Sequence, residues 1–138
     1  MRLCDETITV LNARHDPQSG DVAYIPTVIA GASWFAERAS AVDSRGGLEG
    51  AGQVRVRIPA DADAGGRAWA DPAAWDRAAD VSGLWTLRGG DVIARGAVNG
   101  GELTPEGLRE AGLDCMTVLG VTDNRRAPGA PHWRVTGR

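Results

Sequence analysis

Alternation of apolar and polar positions runs through most of the chain, and it predicts strands rather than helices. The clearest case is Gln53–Pro59, where Val54, Val56 and Ile58 fall on one side and Arg55 and Arg57 on the other. Glu6–Leu11 places Ile8 and Val10 opposite Thr7 and Thr9. Asn12 to Gly20 reads as a turn-rich connection, and Asp21–Ala30 resumes as a strand in which Pro26 points to an edge or a bulge. Gly31 breaks the pattern before a further strand, Ser33–Arg38, in which Trp34 and Ala36 alternate with Phe35 and Glu37. Met116–Val121 and Trp133–Val135 complete the later strands, with a frayed tail expected over Thr136–Arg138.

The densest stretch is Val81–Val98. Two strands, Leu84–Leu87 and Val92–Val98, flank Arg88-Gly89-Gly90-Asp91, and the pattern predicts a core hairpin on which the other segments pack. Helix starts are few. Asp71-Pro72 opens a helix to about Ala79 that sets Trp75 and Ala79 on one face, and Thr104-Pro105 opens another to Ala111, stopped by Gly112. Many short strands with two short helices predict a mainly β fold, a small barrel or sandwich in one domain over 1–138. The inserted loops lie at about 39–52, 60–80 and 99–113. The first of them is glycine-rich and longer than compact domains ordinarily carry.

Composition narrows the functional classes. With 138 residues, 43% hydrophobic and 24% charged, the chain has the profile of a globular protein able to bury a core without disulfides or metals. A net charge of −3 gives no general footprint for nucleic-acid binding. All fifteen basic residues are arginine, scattered along the chain, which fits a coding bias better than a dedicated anion site. Cys4 and Cys115 form no metal-ligand spacing and read as free thiols. The first residues carry no apolar signal segment, and no apolar run reaches membrane-spanning length.

Catalytic signatures are missing. Gly31-Ala-Ser33-Trp34 fails as a nucleophile elbow at its last position, and no phosphate loop, dinucleotide fingerprint or zinc-protease motif is present. His15 and His132 are far apart in loops, and Asp61/Asp63 end too soon for a calcium loop. Five tryptophans (Trp34, Trp69, Trp75, Trp85, Trp133) suit a core or a subunit interface better than a sugar groove. The expectation is a binding or assembly module without enzymatic activity, cofactor or metal.

The order of motifs sharpens this. It runs Ile8-Thr-Val-Leu11, Thr27-Val28-Ile29-Ala-Gly31-Ala-Ser33-Trp34-Phe35, a glycine-rich loop, Val54-Arg-Val-Arg-Ile-Pro59, and Asp71-Pro-x-x-Trp75. Then come Trp85-Thr-Leu-x-x-Gly-Asp91-Val-Ile-x-x-Gly96, Val121-Thr-Asp-Asn-Arg-Arg-Ala-Pro128 and Pro131-His-Trp133. Across nearly its whole length the chain resembles a family of small structural proteins encoded in phage and prophage morphogenesis clusters near the head–tail connector genes. More loosely it resembles the stopper, or head-closure, proteins of long-tailed phages, which combine a β-barrel with a long early loop and a late Gly-Asp hairpin. It departs from them by inserts around 61–80 and 99–113.

The resemblance implies a virion protein of the neck, assembled in the host cytoplasm as a homo-oligomeric ring. That ring would join the portal–adaptor complex to the tail terminator and help to retain packaged DNA. The DNA would pass through its lumen without sequence-specific binding, which a mildly acidic lining favours. A tail terminator or other neck ring protein is the neighbouring alternative; a capsid decoration or host-glycan-binding module is an alternative of another class. Arg55, Arg57, Arg125 and Arg126 are the candidate inter-subunit contacts.

Overall fold

A computed structural model describes residues 5–37, 53–98 and 103–138; the glycine-rich loop at 39–52, Cys4 and the start of the 99–113 insert lie outside them. The elements in chain order are β1 (Glu6–His15), β2 (Val22–Glu37), β3 (Gln53–Pro59), β4 (Ala68–Trp69), α1 (Pro72–Arg77) and β5 (Leu84–Trp85). They are followed by β6 (Val92–Arg95), α2 (Pro105–Glu110), β7 (Cys115–Asn124) and β8 (His132–Gly137). The fold is mainly β. Six strands pair in the order β1-β2-β3-β8-β7-β6, all antiparallel, and β6 returns to β1, so the sheet closes on itself as a barrel.

Two long strands turn the corners. The expected separate strands at 21–30 and 33–38 are one, because Gly31 is the extra residue of a bulge between the pairs Thr7↔Ala30 and Glu6↔Ala32. Its φ of +89° is open to glycine at no steric cost. Before the bulge β2 pairs with β1; from Ser33 it pairs with β3. β7 does the same on the far side, passing from β6 to β8 across a shift between Val118 and Gly120 that leaves Leu119 extra. Bulges raise local twist and let one strand serve two differently directed halves of a sheet. Pro26 lies on the first half of β2, opposite Leu11, where β1 is the only strand paired with β2 among the described residues, the edge position that a strand proline favours.

β1 is buried on both sides, which explains its length. Ile8 and Val10 enter the interior with Ile29, Val56, Ile58, Ile93, Met116, Val118, Trp133 and Val135. Leu11 points the other way, into a second cluster where Leu108 of α2 packs with Val92, Ala94 and Val98. On that side Thr9 Oγ1 donates to Gly96 O (2.7 Å) and accepts from Val98 N–H (2.9 Å), so a threonine that alternation sends outward fastens the chain after β6.

Three further expectations need correction. Leu84–Leu87 and Val92–Val98 do not form a hairpin, although the intervening turn is made, with Asp91 N–H donating to Arg88 O. β6 ends at Arg95 with β1 on one edge and β7 on the other, so it has no edge to offer; β5 instead pairs in parallel with β4. The first helix stops at Arg77: Asp71 caps it by accepting from Ala74 N–H (2.8 Å), Trp75 is fully buried, and Ala79 lies beyond its end, exposed. The tail is not frayed: Gly137 pairs with Val54 and Val118, and Arg138 exchanges backbone hydrogen bonds with Thr117.

Gly137 is buried where β8 meets β7, and a Cβ there would collide with the Thr117 carbonyl. Gly137→Ala is expected to lower the unfolding free energy by about 2 kcal/mol, the scale of an overpacked site, which urea denaturation measures; an unchanged midpoint would show that β7 and β8 separate there without cost.

Candidate functional site

Two surfaces carry the chemistry that the barrel presents. The first is a cleft of about 730 Å³ at the β1–β2 end, lined by Arg14, Tyr24, Asp76, Arg88 and Asp91 among others. Its cations are held by the fold. Arg14 donates to the carbonyls of Trp75 (2.7 Å) and Ala78 at the end of α1, with its guanidinium over the Trp75 ring. Arg88 donates to Asp76 (2.7 Å) and to Ala13 O. Asp91, 1% exposed, accepts from Ala13 N–H (3.0 Å) and from Asn12 Nδ2 (2.7 Å). Asn12 in turn bonds both backbone groups of Thr86, donating to its carbonyl (2.8 Å) and accepting from its N–H (3.3 Å). This end is a structural joint in which the arginines, the Asp91 carboxyl and the Thr86 backbone have partners within the fold, while Thr86 Oγ1 and Trp75 Nε1 are buried without one.

The second surface is the outer face of the half-sheet β2-β3-β8-β7. Alternation along β3 turns Arg55 and Arg57 outward while Val56 and Ile58 are fully buried. The register then sets Ser33, Arg57, Arg134 and Thr122 in one row across four strands, and Phe35, Arg55, Thr136 and Gly120 in the next. Phe35 is 55% exposed, with the Arg55 guanidinium 5.2 Å from its ring centre. At the other end of the second row Leu119, extruded by the β7 bulge, is 59% exposed. A ridge of arginines thus runs between two exposed apolar side chains, over a shallow trough of about 380 Å³. A third row holds Pro59, His132 and Asn124. His132 Nδ1 is 2.7 Å from Ala130 O, which requires a proton on Nδ1. Nε2 is then the acceptor for Asn124 Nδ2 (3.4 Å), and Arg57 Nη2, 3.3 Å from Nδ1, has no lone pair to meet.

The four arginines singled out from the sequence separate. Arg55 and Arg57 lie on this face, joined by Arg134. Arg125 and Arg126 lie in the β7–β8 turn, beside Asp123. Arg125 grips the Asp123 carboxylate through Nε (2.9 Å) and Nη2 (2.7 Å) and lies over the rings of Trp69 and Trp133. Those hydrogen bonds hold the Asp123 carboxyl down at about 2. Arg125 therefore caps the indole cluster of Trp69, Trp85 and Trp133, whose ring centres are 4.7–5.1 Å apart. Trp34, Trp75, Trp85 and Trp133 are buried, so the tryptophans fill the interior.

The sequence reading omitted Arg134, Phe35 and Leu119. The signal was alternation: a strand that buries Trp133 and Val135 must turn Arg134 out, one that buries Trp34 must turn Phe35 out, and one that buries Met116 and Val118 must turn Leu119 out, beside the bulge. Cys115 is a half-buried free thiol whose burial pushes its pKa up, away from the thiolate form. Among the described residues no three His, Cys, Asp or Glu side chains are grouped to hold a metal ion, and no helix is long and apolar enough to cross a membrane.

A model of a family of unknown function, DUF6751, matches residues 3–138. The chain belongs to that family. No curated protein and no solved structure matches it.

Two outcomes test this geometry. Arg125→Ala is expected to return the Asp123 carboxyl from about 2 toward its ordinary 3.8, read by NMR titration; an unmoved value would mean that Arg125 does not hold it. Burial is the main cause that raises Asp91 above its ordinary value, against the lowering pull of Ala13 N–H, Asn12 and Arg88. A folded-state value above the unfolded one makes the contribution of Asp91 complete below about pH 4 and progressively lost as pH rises through the folded value. Asp91→Ala should cost about 2 kcal/mol at pH 4, from the amide donors it orphans. The stability gap to wild type should narrow toward neutral pH, and a gap that widens would reverse the assignment.

Proposed function

We propose that the chain is a structural subunit of the phage head–tail interface, a stopper or head-closure ring protein that joins the portal–adaptor complex to the tail and helps to retain packaged DNA. The observation that carries the reading is the outer face of β2-β3-β8-β7, with Phe35 and Leu119 flanking Arg55, Arg57 and Arg134. Exposed aromatic and aliphatic side chains beside arginine make up the chemistry of protein–protein contact. Its setting supports the same reading. The β1–β2 cleft has its cations and its buried carboxyl group bonded within the fold, the tryptophans fill the interior, and the barrel supplies a rigid frame for this face. The resemblance to connector-cluster proteins supports the position in the virion, and the net charge of −3 suits a wall past which DNA slides.

The test is assembly. Particles purified from infected or induced cells are expected to contain the protein at the neck, seen by mass spectrometry and by imaging of whole virions. Phe35→Asp combined with Arg134→Glu should leave the thermal transition within about 3 °C of wild type, as exposed substitutions do, and yield filled heads without tails. Assembled particles that lack the protein altogether would refute the role.

A further inference from the structure

We propose that the arginine-ridged face of one copy seats the acidic β1–β2 end of a second copy, in a head-to-tail contact that repeats from subunit to subunit. The inference rests on the ring reading above and adds the pair of surfaces that mate.

Among the described residues three large apolar side chains are exposed: Val22, Phe35 and Leu119. Phe35 and Leu119 flank the arginine ridge, and Val22 opens β2 at the other end of the molecule. Around Val22 the outward charge is negative. Asp16 and Asp21 bracket the β1–β2 turn, where Asp16 N–H donates to Asp21 O. Arg14 ties the end of α1 to the same place through the Trp75 and Ala78 carbonyls, and with that end come the exposed Asp76, Arg77 and Asp80. Arg14, Arg77 and Arg88 offset part of that charge, and the carboxylates of Asp16, Asp21, Asp76 and Asp80 outnumber them. One surface is thus apolar and basic, the other apolar and acidic.

Their placement rules out two simpler arrangements. Thirteen residue steps of β2 separate Val22 from Phe35, about 40 Å of strand contour, so one copy cannot satisfy both surfaces itself. Pairing the basic face with its own image would set Arg55, Arg57 and Arg134 against the same arginines, and like charges across an interface are strongly unfavourable. Every copy therefore offers one surface of each kind, and the contact between copies is heterologous, the type that closes into a ring when its rotation divides a circle. Single-stranded nucleic acid, the other partner of an arginine-and-aromatic sheet face, does not account for the acidic counterpart with its own exposed apolar residue.

Cross-linking tests the pairing. In a background carrying Cys4→Ser and Cys115→Ser, the variants Val22→Cys and Phe35→Cys are mixed at about 1 mM, where weak contacts populate, and treated with a short bismaleimide. A dimer containing the 22–35 linked peptide is expected from the mixture and from neither variant alone. Arg57→Glu with Arg134→Glu on the Phe35→Cys partner should cut the yield about tenfold, and Asp16→Arg with Asp21→Arg on the Val22→Cys partner should restore it. Dimers from Phe35→Cys alone, or no 22–35 peptide in the mixture, would overturn the pairing. So would tight binding of a labelled single-stranded oligonucleotide that the two arginine reversals abolish. The two readings fail separately: protein present in particles without the 22–35 link refutes this contact only, and the link with protein absent from particles refutes only the virion role.

Discussion

The side chain of Asn12 takes the place of a strand. At Thr86, just after β5, no strand pairs with the chain among the described residues, and the Asn12 amide supplies the donor and the acceptor that a neighbouring backbone would have offered. Its second amide hydrogen goes to Asp91, whose other oxygen accepts from Ala13 N–H. Asn12, Thr86 and Asp91 are all buried, where an unmet backbone or carboxylate group costs about 1–3 kcal/mol. One side chain therefore decides whether the segment from β4 to β6 can be laid against the barrel. From that placement follow the entry of Trp85 and Leu87 into the interior, their contact with the indole of Trp133, and the seat of α1 against Arg14. The connection becomes part of the core because its backbone groups at Thr86 have partners.

Such a joint is hard to read from one dimension. Alternation identified the β3 strand to the residue, both helix starts and the mainly β class, because each is a local consequence of side-chain period or cap chemistry. Where the reading failed, a distant element decided the outcome. Leu84–Leu87 has the pattern of a hairpin partner for Val92, yet both edges of β6 belong to β1 and β7, strands about eighty residues before and twenty after it. Asn12 and Asp91 look like ordinary turn residues until the fold brings them within 2.7 Å. The candidate surface divides the same way. Arg55 and Arg57 were visible on their strand, and Arg134 joins them only through the β3–β8 register. Arg125 reads as an inter-subunit contact because nothing in the sequence places the two indoles beneath it, although Asp123 stands two residues before it.

Charge is distributed by the same economy. Where an arginine touches the joint or the indole cluster, the fold binds it: Arg14 and Arg88 on carbonyls, Arg125 on a carboxylate and over rings. Arg57 and Arg134 lie in one row on an open sheet face. A surface of this kind is tolerable on an isolated subunit because its apolar content is split between Phe35 and Leu119, three strands apart, and the guanidinium groups between them keep it hydrated. Any partner docked on this face would have to displace or complement those guanidinium groups.

Rigidity sets what such a partner would meet. The face is carried on strands whose inward residues, Val56, Ile58, Trp133, Val135 and Val118, belong to the interior cluster, so the arginine rows cannot shift without disturbing the core. Close-packed interiors resist that movement, and a contact surface held in place loses little conformational freedom on association. The two bulges add direction: Gly31 turns β2 out of the first half of the sheet just before Phe35, and the β7 bulge extrudes Leu119 on the opposite flank. The residues that close the barrel are thereby the ones that aim its outer face.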